Sequence, residues 1–271
     1  MAPTIERIAA LLAKAERTEI EAEADAYLMK AQELATLASI DLAIARSRTL
    51  HKEQRQQPES RTRTIGEKGR RANRHLISLY VVIAHANDAQ VDIAANSTYV
   101  IGYGMPSDLD VIDTMFSSLS VHMVQSSQAY VVSRVWQGEV YTAVVKRRRQ
   151  RKEHTAQTAR VAFYRAYVER MQERLTEARR QTMDHLPATS SDAHPDRATG
   201  ELVLREKAKD VQAFHRQTSD ARGRWGGYSG GVRAPSGSAA AAGRHAASRA
   251  RLTDAPEVGG KRELGTSRGH E

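Results

Sequence analysis

The sequence predicts a predominantly helical α+β protein: an N-terminal helical hairpin module, a basic linker, a compact α+β domain and a disordered C-terminal tail. Three observations support this class. Residues 1–45 repeat small apolar side chains at helical spacing. Residues 75–133 hold 19 Ile, Leu, Val and Phe residues in 59 positions, and no Lys, Arg or Glu. Elsewhere the 271-residue chain carries its basic residues in blocks, which is typical of a folded body with basic arms.

Two amphipathic stretches joined by a short turn predict the helical hairpin. Thr4 is a suitable N-cap for the first helix, and Thr18 with Glu21 has the capping-box pattern for the second. The apolar faces consist of Ile5, Ile8, Leu11, Leu12 and Ala15, then Ala24, Leu28, Ala31, Leu34, Ala35 and Ala38. Since the facing positions are largely alanine, the two helices can pack closely.

The domain boundaries follow from composition. Residues 46–74 have ten basic against three acidic residues, and Leu50 and Ile65 are their large aliphatic side chains, which favours a linker. From about residue 219 the chain again lacks apolar residues for a core, which favours disorder. We predict a helical hairpin module at 1–45, a basic linker at 46–74, an α+β domain at 75–218 and a basic, Gly/Ala-rich, mostly disordered tail at 219–271.

The first half of the predicted domain contains two helices and a β-hairpin. His75–Asn87 fits a helix better than a strand, because its apolar residues recur at helical spacing. Ala89–Ile93 and Thr98–Tyr103 are rich in β-branched residues and enclose a four-residue turn, which predicts the hairpin. The helix that follows begins at Ser107 and is expected to run to about Arg134.

The second half of the domain is less regular in pattern. Residues 135–145 do not favour helix or strand. Thr155–Arg180 predicts the longest helix, because its apolar residues fall on one stripe. Leu202–Leu204 predicts a short strand before a helix at Arg205–His215.

The N-terminal stretch resembles a known family. The string LLAKAERTEIEAEADAYLMKAQELATLASID is similar to the N-terminal module of bacterial and phage proteins in the domain of unknown function 2786 family. The matching positions are Leu11, Leu12, Ala15, Glu21, Ala22, Glu23, Ala24, Lys30, Ala31, Gln32, Glu33, Leu34, Ile40 and Asp41. Because that family has no established activity, the resemblance implies a helical module and an uncharacterised protein, phage-encoded or bacterial.

Later parts of the chain are similar, more loosely, to the uncharacterised domain that follows this module in the family. The similar positions are Tyr99 to Gly102, Asp108, Phe163, Arg174, Leu175, Ala178 and Arg179. After Phe163 the chain has Tyr164, Arg165 and Ala166, which depart in part from the aromatic or glycine residues that the family pattern leads us to expect. About 40 N-terminal residues therefore carry most of the resemblance.

Composition excludes several classes of function. The absence of Cys rules out disulfides, thiolate metal sites and a cysteine nucleophile, and fits a reducing compartment. No apolar run reaches the roughly 18 to 20 residues of a membrane helix, and Glu6 and Lys14 interrupt the stretch that a signal peptide would keep apolar. We expect a cytoplasmic protein, in the host cytoplasm if phage-encoded, without membrane contact. Its formal charge of +9 favours a polyanionic partner such as nucleic acid.

Residues 146–152 form the densest basic cluster. Its basic members are Lys146, Arg147, Arg148, Arg149, Arg151 and Lys152. Six positive charges in seven residues can neutralise several phosphates and give salt-sensitive binding without sequence preference. The alternative is a solvated run of charges that enters a helix.

An auxiliary contact is predicted in the tail. Arg222, Arg224, Trp225 and Tyr228 stand in a glycine-rich background, which suits stacking on unpaired bases while arginines follow the phosphates. The alternative is a disordered linker. Neither cluster distinguishes DNA from RNA.

Catalytic motifs are not found. The sequence lacks His-Glu-x-x-His, Gly-x-Ser-x-Gly, a Walker loop and a dinucleotide fingerprint. We therefore predict no catalytic residue and no cofactor, and the sequence favours a protein that is not an enzyme. Asp184, His185, Asp192, His194 and Asp196 are potential metal ligands, but their spacing matches no known motif. His75, His85 and His122 lie in apolar stretches and are interpreted as core or helix-face residues.

The favoured interpretation is a nucleic-acid-associated accessory or binding protein that uses its basic clusters. One alternative is a metal-dependent hydrolase that uses residues 184–196. Another is a protein-interaction module whose alanine-lined hairpin, residues 4–38, docks a partner helix.

Overall fold

The computed structural model describes residues 2–18, 20–48, 56–145, 148–187, 196–223 and 237–250. Within these ranges the chain forms seven helices and five strands. The helices are α1 (Ala2–Arg17), α2 (Glu21–Arg48), α3 (Asn73–Ala86), α4 (Pro106–Ser133), α5 (Ala156–Asp184), α6 (Arg197–Thr218) and α7 (Gly237–Ser248). The strands are β1 (Glu59–Thr64), β2 (Gln90–Ile93), β3 (Tyr99–Gly104), β4 (Val140–Val145) and β5 (Arg148–Glu153). The predicted class, α+β and predominantly helical, is confirmed.

The N-terminal hairpin of α1 and α2 shares one hydrophobic core with the rest of the chain. Ile8, Leu12, Leu28 and Ala31 are almost fully buried and belong to the same apolar cluster as residues of α3, α4 and α5. The small side chains of α2 let it pack closely against α1 on one side and α5 on the other. The alanine-lined face of the hairpin is therefore covered by helices of this chain.

A three-stranded antiparallel sheet has the order β1, β3, β2. The predicted hairpin of β2 and β3 is confirmed, with Gln90 opposite Tyr103. Strand β1 lies within residues 46–74, where composition favours a linker, and pairs with β3 from Glu59 to Thr64. Its ordering comes from backbone pairing and from ion pairs, which a count of apolar residues does not detect.

Arg61 illustrates how β1 is held. Its guanidinium lies 2.7 Å from a carboxylate oxygen of Asp110 and 3.3 Å from one of Asp113, both on α4. Arg63 lies over the ring of Phe116, 5.4 Å from its centre. Arg61 and Arg63 of β1 thus contact α4, and their side chains are partly buried.

Aromatic side chains of α3, α4 and α5 fill the centre of the core. Tyr80 of α3 meets Phe116 of α4 edge-on at 5.2 Å between ring centres, and Phe163 of α5 stacks on Tyr130 of α4 at 5.5 Å. These three helices match their predicted positions within a few residues. None of the helices in the described part of the chain has the length and apolarity needed to span a membrane.

Helix α6 differs from its prediction. The strand expected at Leu202–Leu204 is wrong, because residues 197–218 form one continuous helix. Asp196 caps it by accepting a hydrogen bond from the backbone nitrogen of Thr199 at 2.7 Å. Its buried residues recur at helical spacing: Gly200, Val203, Leu204, Lys207 and Val211. This longer helical pattern outweighs the short apolar run at Leu202–Leu204.

Helix α7 lies within residues 219–271, where composition favours disorder. Ala239, Gly243 and Ala247 are buried against α5. A Cβ atom at Gly243 would lie 2.4 Å from the carbonyl oxygen of Phe163, so only glycine permits this approach of the two helices. Contact through alanine and glycine escapes a prediction based on large apolar residues. Residues 224–236 and 251–271 of the predicted tail lie outside the described ranges.

Arg174 of α5 joins three helices. Its buried guanidinium forms an ion pair with Asp25 of α2 and donates a hydrogen bond to the carbonyl oxygen of Ala247 in α7. Burial lowers the pKa of Arg174, although the charge of Asp25 opposes this effect. The N-terminal hairpin and α7 are thus linked through one side chain.

A second buried ion network surrounds Lys207 of α6. Its ammonium nitrogen lies 2.9 Å from Asp88 and 3.0 Å from Asp108, and it donates a hydrogen bond to Ser39 of α2. Asp88 also pairs with Arg179 of α5 at 2.8 Å. Burial raises the pKa of Asp108, and the charge of Lys207 acts against that rise. The network connects α2, α4, α5 and α6 at the end of α3.

Buried His75 of α3 predicts a pH-dependent stability. Burial, together with the charge of Arg74, lowers its pKa to about 4. Below pH 6.5 the unfolded chain therefore binds more protons at His75 than the folded chain does. The free energy of unfolding then falls as the pH drops from 6.5 towards 4. We expect His75 to remove about 2 kcal/mol of unfolding free energy between pH 7.5 and pH 5.

Urea denaturation of the wild type and of His75→Leu at both pH values measures this effect. The variant is expected to lose less stability on acidification than the wild type. His154→Leu removes a second histidine whose pKa burial lowers, so it is also expected to lose less stability than the wild type on acidification. An equal acid-induced loss in wild type and His75→Leu would mean that His75 is protonated with little penalty in the folded state.

Candidate nucleic-acid interface

Strands β4 and β5 form a two-stranded antiparallel ribbon between α4 and α5. Val140 pairs with Glu153 at its base and Val145 with Arg148 near its tip. Lys146 and Arg147 connect the strands and lie outside the described residues. The undecided residues 135–145 thus include a strand. The described part of the basic run, interpreted alternatively as entering a helix, lies in the returning strand β5.

The described basic side chains of the ribbon are exposed. Arg148, Arg151 and Lys152 all project into solvent, while the side chain of Arg149 lies outside the description. Within the described part of the chain, none of these three forms an ion pair. On α5, by contrast, Arg165 pairs with Glu169 at 2.8 Å. The positive charges of β5 are therefore available to an external anion.

The ribbon is anchored at its base. The backbone nitrogen of His154 donates to the carbonyl oxygen of Glu139 at 2.8 Å, and the rings of Tyr141 and His154 lie 4.7 Å apart. The carboxylate of Glu139 accepts a hydrogen bond from the backbone nitrogen of Ser238 in α7 at 3.1 Å. An isolated two-stranded hairpin is only marginally stable, so these contacts fix the ribbon on the body.

The predicted tail contact is described only in part. Arg222 is exposed, a few residues beyond the end of α6. Arg224, Trp225 and Tyr228 lie outside the described residues, so their role stays a prediction.

The acidic segment at 184–196 forms structural contacts where it is described. Asp184 pairs with Arg180 at 2.6 Å and with Arg197 at 2.8 Å, and Asp196 caps α6. Asp192 and His194 lie outside the described ranges. Among the described residues, no three His, Asp or Glu side chains come together in a way that would hold a metal ion.

Asp92 of β2 is the centre of a polar cluster that sequence reasoning missed. Its carboxylate accepts hydrogen bonds from Tyr103 at 2.8 Å and Ser219 at 2.6 Å, and Nε2 of His215 lies 2.9 Å away. Burial raises the pKa of Asp92, but the hydrogen bonds outweigh it and the pKa lies below its ordinary value. Because the carboxylate, not the imidazole, contacts the serine, this is no Ser-His-Asp relay.

A groove of about 510 Å³ lies between α3 and α5. Its lining includes Val81, Val82 and Val168 together with Arg179 and Asp88. Arg179 and Asp88 pair with each other, and further polar lining residues, Ser78, His85, Gln172 and Thr176, come from both helices. The groove depends on residues distant in the chain, which is why no local sequence signal indicates it.

Together these features define a predominantly helical α+β protein with an N-terminal helical hairpin and a projecting basic ribbon. Residues 4–42 match the model of the family described as "Protein of unknown function (DUF2786)". The matched segment covers α1 and most of α2, so the predicted resemblance of this module is confirmed. No curated protein and no solved structure matches the chain. The ribbon lies outside the matched segment.

Proposed function

We propose that this protein binds nucleic acid through the ribbon of β4 and β5 and acts as an accessory binding protein. One observation carries the proposal. Strand β5 presents Arg148, Arg151 and Lys152 to solvent on a projecting ribbon, and none of the three forms an ion pair with another described residue. Lysine and arginine side chains in this setting can neutralise phosphates and release condensed counterions.

The distribution of charge supports the same site. Residues 75–133 carry five aspartates and no Lys or Arg, while residues 146–152 carry six basic residues. Ion pairs within the chain engage many other arginines, among them Arg61 and Arg174. A polyanion that approaches the protein is therefore attracted to the ribbon more than to the acidic core segment.

A structural explanation of the charges exists and makes a different prediction. Basic side chains on a free strand edge prevent pairing with strands of other molecules. If this is their whole effect, neutralising them increases aggregation and leaves nucleic-acid binding unchanged. Binding measurements and light scattering on the same variants distinguish the two explanations.

The test is a salt titration with labelled nucleic acid. We expect the wild type to bind with an affinity that falls steeply between 50 and 200 mM salt. The variant Arg148→Gln/Arg151→Gln/Lys152→Gln removes three charges from β5. Each lost phosphate contact lowers the slope of log affinity against log salt by about 0.9, so the slope should fall by up to about 3.

A matched control removes three exposed basic residues elsewhere. Arg205→Gln/Lys209→Gln/Arg216→Gln makes the same change in net charge on α6. We expect the salt slope of this control to differ from that of the wild type by no more than about 0.9, the effect of one phosphate contact. Equal losses in both triple variants would indicate attraction by net charge alone, and no binding of the wild type at 50 mM salt would refute the proposal.

A further inference from the structure

We infer that the ribbon enters the wide major groove of double-stranded B-form DNA. This inference rests on the proposed nucleic-acid binding and adds the class of nucleic acid. It depends on the shape of the ribbon, on the side chains that β5 presents and on the positions of the aromatic rings near its base.

The shape of the ribbon fits one groove. Two paired strands lie about 4.8 Å apart, and six residues extend about 20 Å. The major groove of B-form DNA, about 12 Å wide and 8.5 Å deep, admits a two-stranded ribbon. The minor groove, about 6 Å wide, is too narrow, and the major groove of A-form RNA is deep and narrow.

The side chains of β5 suit base edges as well as phosphates. Arg148, Gln150 and Lys152 alternate along β5, so they lie on one face of the strand, and all three are exposed. Arginine and lysine pair with the N7 and O6 atoms of guanine, and glutamine pairs with adenine, in the major groove. Arg151 projects from the opposite face, where it can reach the backbone phosphates.

The aromatic rings near the ribbon are engaged with the protein. Tyr141 packs against His154, and the indole nitrogen of Trp136 donates to the carbonyl oxygen of Val131 at 3.0 Å. Both side chains are half-buried. Single-strand binding relies on exposed rings that stack on successive bases. Within the described residues of the ribbon no such exposed ring is present, which favours duplex DNA over single strands.

The first experiment compares three ligands of equal length and sequence: duplex DNA, one of its single strands, and duplex RNA. At fixed ionic strength the full chain is expected to bind duplex DNA at least about tenfold more tightly than the other two. Methylation of guanine N7, which faces the major groove, should weaken duplex binding several-fold. Netropsin, which occupies the minor groove, should leave binding within about twofold.

A pair of variants at Gln150 separates shape from charge. Gln150→Pro keeps every charge but removes a backbone donor and fixes φ in the middle of β5, so the strand breaks. We expect it to bind duplex and single strand with affinities within about threefold of each other. Gln150→Ala keeps the strand and should retain the duplex preference. Circular dichroism and thermal unfolding confirm that both variants keep the helical body.

The outcomes separate this inference from the proposed function. Salt-sensitive binding that is equally tight for duplex and single strand overturns the inference and leaves the proposed function standing. Duplex binding that is insensitive to N7 methylation but competed by netropsin overturns the major-groove assignment. An unchanged duplex preference in Gln150→Pro has the same consequence. Absence of binding to every ligand overturns both.

Discussion

Replacing Asp25 with Ala is expected to lower the free energy of unfolding by about 3 to 5 kcal/mol. The reason is that the substitution leaves the guanidinium of Arg174 charged, buried and without its carboxylate. The side chain of Arg174 is only 3% exposed, and its pKa is already lowered by burial. Urea denaturation at pH 7 measures the loss.

Arg174→Met is the matched partner of this variant. Methionine fills much of the same apolar space and removes the buried charge, while Asp25 remains one-third exposed and can be hydrated. The hydrogen bond to Ala247 is lost in exchange, which costs about 1 to 2 kcal/mol. We therefore expect Arg174→Met to cost less than Asp25→Ala. The reverse order would show that the contact with α7, rather than burial of an unpaired charge, dominates.

Lys207→Met is expected to cost a similar amount, about 3 to 5 kcal/mol at pH 7. Asp88 keeps its ion pair with Arg179, but Asp108 loses its cation while it stays buried. The pKa of Asp108 is already raised by burial, and loss of Lys207 raises it further. When the pKa of a carboxyl group is higher in the folded than in the unfolded state, its contribution to stability is fully present at a pH below the unfolded pKa. That contribution is lost as the pH rises through the folded pKa.

The stability deficit of Lys207→Met should therefore shrink when the pH falls from 7 to about 4.5. The double variant Lys207→Met/Asp108→Asn removes the unpaired charge and is expected to recover a large part of the loss at pH 7. Denaturation curves for both variants at the two pH values measure these differences. A deficit that is independent of pH and not recovered by Asp108→Asn would assign the effect of Lys207 to packing.

The parts of the fold that the sequence predicts are those with a strong local period. Helices α1 to α5 repeat apolar side chains at helical spacing, and the hairpin of β2 and β3 has β-branched runs around a short turn. Strand β1 lacks such a signal, because its pairing with β3 and its ion pairs with α4 are tertiary. Helix α7 lacks it because its buried residues are alanine and glycine.

The sequence predicts which residues form the candidate interface, but it does not predict that they form a ribbon. Charge density alone selects residues 146–152, and this selection needs no structure. The ribbon was not predictable, because Lys146 and Arg147 join β4 to β5 without the Gly or Asn that usually indicates a tight hairpin turn. The networks around Lys207 and Asp92 join residues far apart in the chain, and only the folded structure brings them together.

The position of α7 affects the protein while it is being synthesised. Helix α5 is complete at Asp184, but the helix that covers it begins only at Gly237. At common elongation rates the ribosome takes about 3 to 10 seconds to add the residues between them. During that interval the face of α5 around Phe163 and Ala166, which later receives Gly243, is open to chaperones and proteases. The nascent chain therefore exposes, for seconds, a face of α5 that the folded protein buries.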